Sequence, residues 1–173
     1  MASNEKNIRV GILMGSDSDL EVMREAEKRL DYFGVGYETR IMSAHRTPDK
    51  AAKYAATARE RGLEAIIAGA GAAAHLAGAI AANTTLPVIG IPIDSSSLKG
   101  LDALLATVQM PAGIPVATMA IGKAGAANAG IFAAQIVACK DSKVAAKLAE
   151  FKQEMAAGVE DRDRKLQSDK SKG

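Results

Sequence analysis

Short apolar runs alternate along this chain with stretches in which apolar positions recur every three or four residues. Residues 8–14 (IRVGILM) read as a buried strand, after which Leu20, Met23, Ala26, Leu30 and Phe33 follow at helical spacing until Gly34 stops the helix. Residues 37–42 form the next strand. Thr47-Pro48-Asp49 then supplies a cap residue, a proline at the first helical position and an acid in the first turn, and Gly62 closes that helix. Residues 64–70 (EAIIAGA), 87–93 (PVIGIPI) and 114–121 (IPVATMAI) predict three more strands, with helices near 74–84, 98–109 and 123–138. Five βα units in succession predict a parallel five-stranded sheet with right-handed crossovers and helices on both faces, a three-layer α/β/α sandwich.

Beyond Cys139 the pattern changes. Residues 140–173 hold nine basic and seven acidic side chains, and Val144, Leu148, Phe151, Met155 and Val159 fall on one helical stripe. The stripe predicts an extra C-terminal helix that docks on its own domain or on a neighbouring subunit. From Asp161 the sequence (DRDRKLQSDKSKG) loses apolar positions and is expected to be disordered. A single domain over residues 1–160 and a disordered tail over 161–173 is the expected organisation.

Composition alters the picture in one respect. Thirty-five alanines give the core little area per residue, and the 75 residues from 65 to 139 carry only four charges, Asp94, Lys99, Asp102 and Lys123. Four charges cannot coat the surface that a folded chain of this size leaves exposed. Close helix packing and burial of this half against other copies of the chain, a homo-oligomer, is therefore expected. The first 139 residues hold 13 basic and 13 acidic side chains, so the net charge of +2 lies wholly in the tail and gives no field for nucleic acid. No run approaches the roughly 18 apolar residues of a membrane span, and residues 1–7 are too polar for a secretion signal. With one cysteine there is no internal disulfide and no CxxC metal or redox site, so a soluble cytoplasmic protein is the expectation.

In an open parallel sheet, ligands bind beyond the carboxyl ends of the strands. Here those ends read Gly15-Ser16-Asp17-Ser18-Asp19, Ser43-Ala44-His45-Arg46-Thr47-Pro48, Gly69 through His75, Asp94-Ser95-Ser96-Ser97, and Gly122-Lys123-Ala124-Gly125. Ser18 with Glu21 matches a capping box, yet Gly15, Ser16 and the helix start also suit an anion cradle, with Asp19 placed for sugar hydroxyls; both readings stand. Arg46, beside the start of a helix, opposes the helix dipole unless an anion such as phosphate sits between them. His45 has a pKa range suited to proton transfer near neutrality, with a structural histidine as the alternative. His75, flanked by Ala74 and Leu76, reads first as a packed, hydrogen-bonded histidine or a helix start. Metal binding has little support from two histidines thirty residues apart without a cysteine partner. Ser43 is two residues from His45, where neighbouring side chains point apart, which argues against a Ser-His nucleophile. A flavin suits such a fold, but the rim has no Trp or Tyr to stack on it. From the residues alone, the chemistry is acid/base work on a phosphorylated polar small molecule.

The blocks VGILMGSDSD, MSAHRTPD, AIIAGAGAAAHL and VQMPAGIPVATMAIGKAGAANAG, in this order over residues 8–139, closely resemble the class I N5-carboxyaminoimidazole ribonucleotide mutases, the phosphoribosylaminoimidazole carboxylase catalytic-subunit family. The resemblance implies a flavodoxin-like fold, a homo-octamer, and transfer of a carboxylate from the exocyclic nitrogen of the ribonucleotide substrate to ring carbon C4 in purine biosynthesis, without cofactor or metal. It implies His45 as the general acid/base and Ser16, Asp19 and Arg46 as substrate-binding positions. Ser18, Ser43 and Gly71 are implied as additional contacts, and His75 becomes a candidate for the pocket wall. Class II relatives, which carboxylate aminoimidazole ribonucleotide directly with CO2, typically continue SAH with lysine; Arg46 points to class I. The family usually shows GAGGAAHLPG, whereas this chain has Ala72 at the second glycine of GG and Ala77 at the proline. If position 72 takes a positive φ or lies against the substrate, its methyl strains the loop or narrows the pocket.

Overall fold

The computed structural model describes residues 7–170; the polar N-terminal residues 1–6 and the last three residues of the tail lie outside the described residues. Five strands, β1 (Ile8–Met14), β2 (Gly36–Ile41), β3 (Ala65–Gly71), β4 (Val88–Ile93) and β5 (Ala117–Thr118), form one sheet in the order β2-β1-β3-β4-β5. Every neighbouring pair is parallel. The helices α1 (Leu20–Phe33), α2 (Pro48–Thr57), α3 (Leu76–Ala81), α4 (Leu101–Val108), α5 (Gly122–Ala138) and α6 (Ser142–Lys170) complete the chain. This is the flavodoxin-like α/β fold. Among the described residues no helix is long and apolar enough to cross a membrane.

The period of two along each strand divides the core. Val10, Ile12 and Met14 of β1, Ile67 of β3 and Ile89, Ile91 and Ile93 of β4 pack with α1, α5 and the start of α6. Leu13, Ile66, Ala68 and Val88 point the other way, onto α2 and α3. Burying each of these large side chains contributes about 1.5–3 kcal/mol, whereas an alanine contributes a fraction of that. The alanine-rich helices therefore depend on close approach. At the crossing of α1 and α5, Ala26, Ala126, Ala129 and Ala133 are fully buried, and a Cβ on Gly130 would fall 2.7 Å from the Ala26 carbonyl oxygen. A larger residue at position 130 would force those two helices apart.

Several boundaries differ from the sequence expectation. β5 is reduced to two residues, paired through Ile89 with Ala117 and Gly90 with Thr118; Pro115, which has no N–H to give, limits the ladder at its N-terminal end. The helices after β3 and β4 begin later than expected, since Ala72 to His75 and Ser96 to Gly100 are spent on turns. α6 carries the expected stripe, and its first half docks within the same subunit. Val144 is buried, Leu148 and Phe151 pack on the core, and the Phe151 ring meets Tyr32 and Phe33 of α1 edge-on at 5.5 Å. Met155 and Val159 remain exposed. The helix then continues to Lys170, through the stretch from Asp161 that was expected to be disordered; Asp161 pairs with Arg164 one turn on, and Asp163 accepts from Gln167.

The strand order fixes where a ligand can sit. From β1 the chain steps outward to β2, then returns to β3 on the opposite side and proceeds to β4 and β5. The helices leaving β1 and β3 thus lie on opposite faces, which opens a crevice at their carboxyl ends. Register brings these ends level: Met14 pairs with both Ile41 and Gly69, and Gly71 pairs with Ile93.

Candidate active site

Four loops meet at that crevice. A cleft of about 200 Å³ is lined by Ser16, Ser18 and Asp19 after β1, by Ser43, His45 and Arg46 after β2, by Gly71 and Ala73 after β3, and by Ser95 after β4. Seven of the eight residues singled out from sequence thus share one cavity wall, and the eighth, His75, contacts His45. Ser95, Ala70, Ala73 and Leu76 also line the cleft. Ser95 was placed on the rim by its position at a strand end but was given no role, since a lone serine in Asp-Ser-Ser-Ser carries no pattern of its own.

The first loop folds differently from a capping box. Ser16 caps a short 3₁₀ turn, its Oγ accepting from the Ser18 backbone N–H at 3.3 Å. Ser18 Oγ turns to Asp19 Oδ1 at 3.4 Å, while Glu21 points outward and accepts from Lys123 at 2.5 Å. Lys123 does not line the cleft. Asp19 is 6% exposed. Burial raises its carboxyl above the ordinary value, opposed by hydrogen bonds from the Ser18 hydroxyl and the Ser16 backbone, and the Asp17 carboxylate adds to the rise. A buried carboxylate with few donors is a ready acceptor for ligand hydroxyls.

The second loop is tied by two hydroxyls. Ser43 Oγ accepts from the backbone N–H groups of His45 at 3.3 Å and Arg46 at 3.1 Å. Thr47 starts α2 but does not cap it with its side chain; its Oγ1 accepts from the Ser43 N–H at 2.9 Å and donates to the Ser43 carbonyl at 3.1 Å. The hydroxyls of Ser43 and Thr47 therefore hold the loop's shape. The Arg46 guanidinium donates to the Gly15 carbonyl oxygen at 2.8 Å, which joins the β1 and β2 loops and leaves its other N–H groups for an anion. Arg46 borders both the cleft and an adjoining groove that also includes Asp17, Ile41, Met42 and Thr47.

The third loop brings in His75. Ala74 N–H bonds to the Ala72 carbonyl and His75 N–H to the Ala73 carbonyl, both at 2.9 Å, so the chain turns tightly before α3. Ala72 pays for this turn with φ +50°, the left-handed region that L residues avoid. Its side chain is exposed and does not line the cleft, so the methyl strains the loop and leaves the cavity open. Ala77 is the second residue of α3, where no intrahelical N–H bond is lost or gained by having alanine in place of proline. At Gly71 a Cβ would fall 1.7 Å from Ser95 Oγ, so no side chain fits between the ends of β3 and β4. His75 is exposed in the subunit and stands at the start of α3, as its N-cap residue; its Nδ1 lies 2.8 Å from His45 Nε2, with the rings nearly perpendicular at 81°. Among the described residues no three His, Cys, Asp or Glu side chains are grouped to hold a metal ion.

The arrangement pairs an imidazole with a guanidinium, a buried carboxylate and backbone donors around an open cleft. The family model described as AIR carboxylase matches residues 9–158. The chain is 57% identical over 152 residues to N5-carboxyaminoimidazole ribonucleotide mutase from Vibrio parahaemolyticus, covering 88% of this chain and 94% of that one. It is 60% identical over 141 residues to the enzyme of that name from Bacillus subtilis, covering 82% and 87%. The crystal structure of Treponema denticola PurE superposes with a TM-score of 0.81 at 29% identity, over 91% of this chain and 97% of the other.

Proposed function

Because this chain belongs to the AIR carboxylase family, we propose that it is an N5-carboxyaminoimidazole ribonucleotide mutase of purine biosynthesis, with His45 as its proton carrier. The observation that carries the assignment is the single cleft in which Ser16, Ser18, Asp19, Ser43, His45, Arg46 and Gly71 converge. Arg46 and Ser18 hold the 5′-phosphate, and the position of Arg46 between cleft and groove leaves the cleft for the imidazole ring. Asp19 accepts from the ribose hydroxyls, which add donors to a buried carboxyl that otherwise has only the Ser18 hydroxyl and the Ser16 backbone.

The reaction moves one carboxylate and, in the opposite sense, one proton. As the bond between the exocyclic nitrogen and CO2 breaks, protonated His45 gives its proton to that nitrogen. C4 of the electron-rich ring then attacks CO2, and neutral His45 takes the C4 proton, which restores its starting state. No cofactor enters this balance. CO2 offers no charge to grip, so the cleft must confine it; the side chains of Ala70, Ala73 and Leu76 supply apolar wall. We assign the working form as a cytoplasmic homo-oligomer, an octamer as the family resemblance implies, supported by the apolar face that α4 leaves uncovered.

The test is turnover of N5-carboxyaminoimidazole ribonucleotide by the purified chain, beside aminoimidazole ribonucleotide supplied with bicarbonate. Conversion of the first substrate at a far higher kcat/KM is expected; preference for the second would make the enzyme a direct carboxylase. His45→Asn is expected to lower kcat by about 100-fold or more while nucleotide binding persists. Retained turnover would remove His45 from the mechanism.

A further inference from the structure

His45 and His75 are thirty residues apart in sequence, yet their facing nitrogens, Nε2 and Nδ1, are 2.8 Å apart. At that separation one hydrogen must lie between them, since two lone pairs repel and two N–H groups collide. No other side chain makes a hydrogen bond to either ring among the described residues, so each imidazole is oriented by the other. The backbones on both sides are fixed, His45 by Ser43 Oγ and His75 by the Ala73 carbonyl.

We propose that His75 is the positioning residue for His45, fixing the nitrogen on which it carries its exchangeable proton. This rests on His45 being the proton carrier. With His75 Nδ1 as acceptor, neutral His45 keeps its hydrogen on Nε2, and its Nδ1 lone pair is bare. Nδ1 is then the atom that releases a proton to the exocyclic nitrogen as the bond to CO2 breaks, and regains one from C4 after the new carbon–carbon bond forms. Nε2–H stays on His75 throughout, so the ring neither rotates nor changes tautomer between its acid and base roles. Without His75, neutral His45 can place its hydrogen on either nitrogen, and the form with Nδ1–H cannot accept from C4.

The other ionisable groups lining the cleft are Asp19 and Arg46; Ser95 and Leu76, from the ends of β4 and α3, add no charge.

These are the only two histidines in the chain, so histidine labelled with ¹⁵N reports on this pair alone. Magic-angle-spinning NMR of the unliganded, full-length protein is expected to show a donor nitrogen on His45 facing an acceptor nitrogen on His75, assigned with His45→Asn and His75→Asn. Absence of that donor–acceptor pair overturns the proposal. In kinetics, His75→Leu should lower kcat by about 10- to 100-fold with KM changed less than about threefold. His75→Asn, whose amide oxygen can replace Nδ1 as acceptor, should recover most of that loss. An unchanged kcat in His75→Leu overturns the proposal too. If that variant does not fold, the spectra of the wild-type pair decide. Absence of wild-type turnover with an intact pair would instead defeat the assignment of His45 as proton carrier, and with it the positioning role.

Discussion

Ala72 holds a left-handed backbone, φ +50°, at a position where a glycine would carry no steric cost. For an L residue that conformation costs about 1–2 kcal/mol, part of which a glycine gives back through the greater freedom of its unfolded chain. Ala72→Gly is therefore expected to stabilise the protein by about 1 kcal/mol, seen as a melting temperature a few degrees higher at equal protomer concentration. Because the side chain is exposed and outside the cleft, KM should stay within about twofold. An unchanged or lower melting temperature would mean that the turn keeps its shape for another reason. The sequence displayed the residue types of the site at their strand ends, and these were enough to name seven lining residues. It did not display where hydroxyls point: Ser18 turned to Asp19 and left the capping box unformed, and Thr47 braced Ser43 where a helix cap was expected. The contact of His45 with His75 was equally hidden, since it depends on the register of β1 with β2 and β3.

At the scale of elements, one ion-paired corner governs how α6 attaches. Arg9 of β1 donates to Glu64 at 2.5 Å and to Asp141 at 2.6 Å, and Asp141 Oδ1 also accepts from the backbone N–H groups of Lys143 and Val144 at the start of α6. The Arg9 guanidinium and these two amides hold the Asp141 carboxyl below its ordinary 3.8. A depressed carboxyl adds stability that is complete above the ordinary value and is lost as pH falls through the lowered one. Asp141→Asn keeps an acceptor for the amides but removes the charge. The variant should therefore melt below the wild type at neutral pH, with the difference closing as pH falls below about 4, measured by circular dichroism because the chain has no tryptophan. A difference that persists undiminished at low pH would place the contribution of Asp141 in something other than its charge. The apolar stripe of α6 was readable because helical period needs only residue type. Its extension to Lys170 was not, since it rests on charged pairs such as Asp161 with Arg164 that composition reads as a solvated tail. Pro115 was likewise visible, but its effect on β5 follows only once that strand is placed beside β4.

For the whole molecule, the cleft and the proposed assembly are linked by what the isolated subunit leaves open. Leu98, Leu101, Leu105 and Val108 are 60%, 52%, 50% and 49% exposed, and the last three fall on one stripe of α4. They lie in the stretch from 65 to 139, which has only four charges to keep such a face in water. The same segment begins just beyond Ser95, which lines the cleft, so a neighbour seated on α4 would come to rest beside the reaction. A mutase that must retain CO2 needs that enclosure, and a subunit cleft of about 200 Å³ open to solvent does not provide it. Leu101→Glu combined with Leu105→Glu should leave the subunit folded, because both side chains already meet water, while placing uncompensated carboxylates in any contact between copies. Light scattering is expected to show a smaller species, and conversion of the N-carboxylated substrate should fall while release of CO2 to solvent rises. An assembly of unchanged mass would assign α4 to the outer surface, and the low-charge half would then need a different partner face. Loss of assembly with full retention of CO2 would separate the two, making confinement a property of the single subunit.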